Sequence, residues 1–281
     1  MSESNKRNFI VHGSILAIAG ILVRIIGMLY RIPVVNIIGS EGNGIYGAAF
    51  NIYNIMLVLS SYGLPMAVSK LVSARFTKKR YKSAAKVLRC SLMVAVCTGG
   101  IAALLVFFGA SFIENVIYGG GLPGLAIPLR ILAPTIFLVA ILGVIRGFFQ
   151  GQSTMIPTAV SQILEQIVNA IVSIAAGYGM MKAFASSPDV AAYGAAGSTL
   201  GTAMGALTAV LFMGFLYAVY TPTFNRLKRK DRHTENQSTG QICKIIIYTM
   251  IPIILGQTFY QISALIDDVM FSNIMVGRDI T

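Results

Sequence analysis

The segment ILVRIIGMLYRIPVV, residues 21–35, decides how the chain is read. It is an apolar run fit for a lipid interior, yet it carries Arg24 and Arg31 with no acid beside either. The flanking sequence shows that a lipid interior is indeed the setting. Of 281 residues 56% are hydrophobic and 11% charged, where a soluble chain would carry roughly 25% charged. The charges are clustered, and seven apolar stretches lie between the clusters, at 10–38, 46–73, 90–111, 125–148, 157–181, 194–220 and 242–271. Each is long enough to cross, since a helix needs roughly 20 residues to span ~30 Å of hydrocarbon. The expected fold is an all-α polytopic membrane protein. A β-barrel would alternate apolar and polar residues in segments of about ten, and nothing here does so. The first span is too long for a secretory signal and lacks a small-residue cleavage site after a short apolar core.

Lysine and arginine set the expected topology. RFTKKRYKSAAKVLR (75–89) holds seven basic residues and no acid, and NRLKRKDRH (225–233) holds five. Lys6 and Arg7 precede the first span, whereas the segments around 40–44, 114–124 and 182–193 are nearly free of them. A cytoplasmic amino terminus puts every basic cluster inside. The net charge of +12 is therefore a topology signal and a contact with anionic membrane lipids, not a nucleic-acid footprint.

The polar stretch KRKDRHTENQSTGQ (228–241) is the strongest linker signal in the chain. Residues 1–225 read as a six-helix amino-terminal lobe, 226–241 as an inter-lobe linker, and 242–281 as the first helix of a second lobe. That makes the chain a piece of a longer protein, because transporters are commonly built from repeated halves. The end of span seven, Asn273-Ile274-Met275-Val276-Gly277, echoes Asn36-Ile37-Ile38-Gly39 at the end of span one. Pro33, Pro65, Pro134 and Pro252 fall inside spans, where proline favours a kink. Gly197, Gly201 and Gly205 form overlapping small-xxx-small motifs, and Gly13, Gly20 and Gly27 suggest a second seam.

Arg24 lies near the middle of span one, where a charge costs at least ~2.5–3.5 kcal/mol and normally faces a bundle interior or a wet cavity. Arg31 returns to the same face two turns later, about 10 Å nearer the outer surface. It could also snorkel to the outer headgroups. Two arginines on one face favour an anionic passenger. Arg130 and Arg146, near the two ends of span four, extend the expected basic surface, and Lys70 closes span two. Glu165, deep in span five, is either a structural partner for an arginine or a carrier of a proton or sodium. Gln162 joins these as a candidate substrate contact. Asp267 and Asp268 read as interfacial.

No outer segment carries the acids or histidines needed for general acid–base work on a sugar donor, and no G-x-x-x-x-G-K-[ST] loop is present. Cys90 and Cys97 lie ~10 Å apart on one helix, too far to pair. With His12 and His233 as the two histidines, a zinc or haem site is not expected. The expectation is a carrier without cofactors, driven by sodium, protons or membrane potential.

RGFFQGQSTMIPTAVSQILEQ (146–166) resembles the segment joining spans four and five in the stage V sporulation protein B-like membrane proteins, within the multidrug/oligosaccharidyl-lipid/polysaccharide flippase superfamily. RIPVVNIIGSEGNGIYGAAFNIY (31–53), GLPMAVSKLVS (63–73) and LRILAPTIF (129–137) resemble the same group, whose relatives include the lipid II flippases. The resemblance implies two six-helix lobes around a V-shaped cavity that opens alternately to each side. It also implies a polyprenyl-pyrophosphate-linked oligosaccharide as passenger, moved from the inner to the outer leaflet of a bacterial plasma membrane. Arg24 matches a cavity arginine of the lipid II flippases through the Arg-x-x-Gly pattern ending at Gly27. Arg31 sits one residue later than their next arginine, a rotation of about 100° on a helix. Three rivals remain at this level: a cation-coupled drug exporter of the same superfamily, a membrane-embedded enzyme of envelope polysaccharide assembly, and a non-transporting scaffold.

Overall fold

A computed structural model describes residues 3–232 and 237–277. The chain is α1 (Glu3–Ser60), α2 (Leu64–Thr77), α3 (Tyr81–Phe112), a π-helical turn (Ile113–Ile117), α4 (Ala126–Gly151), α5 (Ile156–Ala183), α6 (Val190–Lys230) and α7 (Thr239–Gly277). No strand occurs among the described residues. Six helical segments among them are long and apolar enough to cross a membrane, and the first, Ser14–Thr77, has length enough to cross twice. The chain is a multi-pass membrane protein. Its lipid-facing surface is a belt of exposed apolar side chains that includes Phe108, Phe215 and Phe259.

The first expected span and the first half of the second run through one helix, α1, bent at a single residue. Gly39 takes φ 72°, ψ −176°, a backbone state that only glycine enters without a steric penalty. The polar segment 40–44 is not a turn between helices. Those residues are already helical, because one glycine suffices to redirect the chain. The expected second span is itself interrupted at Ser61–Gly63. Pro65, expected as an interior kink, instead occupies the first turn of α2, where its missing N–H has no helical acceptor to lose. Pro33, Pro134 and Pro252 do lie inside helices. His233, the pair Arg278 and Asp279, and the Asp268 side chain fall outside the described residues. Asp267 is exposed.

Two apolar clusters hold the bundle. One joins Ile45, Ala49 and Tyr53 of the second rod of α1 to Val106 of α3, Leu129 and Ile136 of α4, and Ala192 of α6. The other joins Val68 and Val72 of α2 to Val87 and Ala95 of α3, Phe148 of α4, Met213 and Phe224 of α6, and Ile242 of α7. Phe148 lies edge-on to Phe224 at 5.4 Å between ring centroids, and Phe76 stacks on Phe224 at 6.1 Å.

Small residues let the helices approach closely. A Cβ on Gly201 would stand 2.1 Å from the Ser173 hydroxyl, and one on Gly205 would stand 2.6 Å from the Glu165 carbonyl. The α5–α6 seam read from sequence is therefore real. A second seam, Gly143, Gly147 and Gly151 on α4, packs against α2, and a Cβ on Gly147 would reach within 2.6 Å of the Pro65 carbonyl. The expected seam on span one fails at Gly20, which has nothing within 4 Å, while Gly27 abuts the Gln166 amide at 3.3 Å. The first rod of α1 lies against α5 on one side and exposes Ile21, Ile25, Met28 and Ile32 on the other.

Helix ends are capped by acids. The Glu114 carboxylate accepts the N–H groups of Gly124 at 3.1 Å and Ala126 at 2.7 Å at the start of α4. Asp231, buried beyond the end of α6, accepts the N–H of Lys82 at 2.8 Å in the first turn of α3. Each satisfies donors that a helix leaves open at its amino end.

Candidate functional site

A polar layer crosses the bundle where α4 turns into α5. The connection is short, residues 152–155, so the two helices run antiparallel and residues equally far from the turn face each other. Arg146, five residues before the end of α4, meets Ser161, five after the start of α5, with Nε donating to the hydroxyl at 2.9 Å. The same guanidinium donates from NH2 to Glu165 Oε2 at 2.7 Å. The Ser161 hydroxyl in turn donates to the Thr158 carbonyl at 2.8 Å. This is the one ion pair among the described residues, with side chains 14% and 26% exposed. Of the two roles open to Glu165, the structure shows the partner of an arginine.

Beside the pair is a cavity of about 220 Å³ lined by Ser61, Tyr62, Pro65, Arg146, Gln150, Thr158 and Gln162, among others. Two sequence candidates, Arg146 and Gln162, therefore line one space. Ser61, Tyr62, Gln150 and Thr158 were missed. Equal counting from the 152–155 turn could have found Thr158, but the break in span two that delivers Ser61 and Tyr62 has no such signal.

Arg24 and Arg31 stand on the first rod of α1. Two contacts fix its register on α5: Gly27 beside Gln166, and Tyr30, whose hydroxyl accepts from Asn169 Nδ2 at 3.2 Å. Both pairs are offset equally, so the helices run parallel and Arg24 lies at the depth of Gln162 and Ile163. It is exposed and has no hydrogen bond or ion pair among the described residues. Arg31 is also exposed, two turns on, and its guanidinium rests 5.4 Å from the centroid of the Tyr46 ring beyond the Gly39 bend.

Two candidates do not join the layer. Arg130 is exposed and donates to Ser111 of α3 at 2.9 Å. Sixteen residues separate it from Arg146, about 24 Å along the helix and roughly 160° around it, so the two cannot line one surface. Lys70 faces a groove of about 760 Å³ between α2 and α7, with Met66, Lys244 and Tyr248. It lies in the middle of α2, not at its end.

A model of the polysaccharide biosynthesis protein family matches residues 10–279. The chain is 34% identical over 176 residues to "Lipid II flippase MurJ" of Bacillus subtilis (strain 168), covering 60% of this chain and 32% of the relative. It is 30% identical over 210 residues to "Stage V sporulation protein B" of the same organism, covering 74% of this chain and 39% of the relative. The chain thus spans less than half the length of these curated relatives. Among solved structures, a MATE transporter in the straight conformation superposes with a TM-score of 0.71 at 17% identity, over 90% of this chain and 53% of that one. An outward-facing multidrug-resistance MATE transporter of the MOP superfamily gives 0.66 at 18%, over 87% and 52%. At such identities these two likenesses establish the fold.

Proposed function

The chain belongs to the polysaccharide biosynthesis protein family, and on that premise we propose that it is part of a flippase for a polyprenyl-pyrophosphate-linked oligosaccharide, lipid II or a related envelope precursor. The carrying observation is Arg24: an exposed guanidinium without an acid partner, at the depth of the Arg146–Glu165 layer. A guanidinium keeps its charge at any depth and offers a planar donor fork that fits phosphate oxygens. Arg24 and Arg31 would receive the pyrophosphate, while Gln162, Gln150 and Tyr62 offer neutral hydrogen bonds to the first sugars. The lipid tail stays in the bilayer. The carrier requires no cofactor and performs no bond chemistry.

Alternating access requires a second lobe, which α7 would open; the link expected over 226–241 is shorter, 231–238, because α6 stays helical to Lys230 and α7 begins at Thr239. The basic residues gather at the end of the bundle that holds the α2–α3 and α6–α7 connections. This supports a cytoplasmic amino terminus in a bacterial plasma membrane. An inside-negative potential then favours outward movement of the anionic headgroup, by ~2.3 kcal/mol per charge for each 100 mV. Lys70, in the groove beside α7, would meet the phosphate at entry. Arg130 remains a candidate contact at the far rim only.

The structural likeness to drug exporters supports a second reading, but the acid such a cargo would need, Glu165, is held by Arg146. In the full-length protein reconstituted into vesicles, Arg24→Ala is expected to abolish flipping of lipid II while leaving the melting temperature unchanged. Normal flipping by that variant overturns the reading.

A further inference from the structure

The chain holds a second basic groove, far from the polar layer, where α3 begins, α6 ends and α7 begins. It measures about 510 Å³ and is lined by Lys82, Lys86, Arg89 and Lys228, with Met93 and Thr239. We propose that this groove binds the phosphate headgroup of an anionic glycerophospholipid from the adjoining leaflet, at a site separate from the transport path.

Three observations carry it. The first is the charge. Lys82 and Arg89 are exposed and form no ion pair among the described residues. Lys228 lies 5.3 Å from the Phe224 ring centroid, and Lys86 donates to the Gln237 carbonyl. These last two contacts hold the ammonium groups in place without neutralising them. Asp231, the acid described at this end of the bundle, is turned to the Lys82 backbone N–H at 2.8 Å.

The second is the direction of the face. Lys82, Lys86, Arg89, Met93, Val96 and Leu104 recur every three or four residues (the last step doubled), which places them on one stripe of α3. Met93, Val96 and Leu104 are 58%, 46% and 57% exposed. A basic head thus continues directly into an apolar, lipid-facing track, which is the order of parts in a phospholipid. The track is part of the lipid-facing belt, so acyl chains lie directly beside the basic head, where a soluble phosphate compound would engage the head alone.

The third is that the groove is built. Its walls are tied together by the Lys86–Gln237 and Asp231–Lys82 bonds and by the Cys90 thiol, which donates to the Thr239 carbonyl at 3.8 Å. These are ties between the α6–α7 connection and α3, so the walls stand before any ligand arrives.

The test is native mass spectrometry of the purified full-length protein titrated with phosphatidylglycerol or phosphatidylcholine. The groove variant is Lys82→Gln/Arg89→Gln. The control is Arg226→Gln/Arg229→Gln, which removes two exposed charges of α6 that do not line the groove. Wild type and control should retain phosphatidylglycerol over phosphatidylcholine. The groove variant should bind phosphatidylglycerol on the order of ten- to thirty-fold more weakly, at about 1 kcal/mol for each basic residue near an anionic surface. Equal losses in the two variants, or none in the groove variant, overturn the proposal. Displacement of phosphatidylglycerol by millimolar inorganic phosphate overturns it too, assigning the groove to a soluble phosphate compound. The lipid-free melting temperature reports folding, and Arg89→Gln alone serves if the double variant is unstable.

Discussion

Arg146 on α4 and Glu165 on α5 meet at 2.7 Å across the short connection 152–155. Removing one partner strands the other in a poorly hydrated layer. Arg146→Ala or Glu165→Ala should lower the melting temperature measurably, by less than the ~3–5 kcal/mol of a fully buried pair because both groups retain some solvent. Replacing both with apolar residues of similar size should restore stability while impairing flipping. If the double replacement is as unstable as the worse single one, the pair is not acting as a pair.

Gly39 offers a sharper test of the bend. An alanine there must take φ 72°, ψ −176°, at a strain of order ~1–3 kcal/mol. Gly39→Ala is expected to destabilise the protein, whereas Gly20→Ala, with open space around it, should be neutral or slightly stabilising through helix propensity. Comparing the two melts separates backbone strain from the mere loss of a glycine.

The two seams should behave alike although one was legible and the other was not. A Cβ at Gly201 or at Gly147 would be driven to 2.1 Å or 2.6 Å of a neighbouring oxygen. Gly201→Ala and Gly147→Ala are each expected to cost ~1–3 kcal/mol, the range for overpacking a close contact. A neutral result in a detergent unfolding series at either position would mean that the helices separate easily there.

Asp231→Ala should fray the start of α3. The cap is worth typically ~1 kcal/mol, and hydrogen exchange at the Lys82 amide should be faster than in the wild type while the amides of α5 are unchanged.

The spans were legible because hydrocarbon thickness writes itself into apolar length. The bends were less so. Gly39 and Gly20 look alike in sequence, and only packing decides which one leaves the helical region. The α4 seam hid because Gly143, Gly147 and Gly151 sit in a segment already read for its arginine and its family likeness. Arg130 was grouped with Arg146 by helix and charge alone, although sixteen residues place them on opposite faces. Glu165 kept two meanings until the partner across the turn was seen. The neighbours of Arg24 came only with the α1–α5 register, which sets it level with Gln162 and Ile163 in the second turn of α5.

The segment leading into α7 is fastened at both ends, Asp231 to the Lys82 amide and Gln237 to Arg75 at 2.8 Å. α7 is 39 residues long, roughly 58 Å from end to end. It is held along that length as well: Ile242, Ile246 and Met250 lie in the second apolar cluster, and Val269 packs against the first. α7 therefore bridges the two clusters of the lobe, so a change in its tilt cannot be absorbed at the basic end and must shift the packing of both.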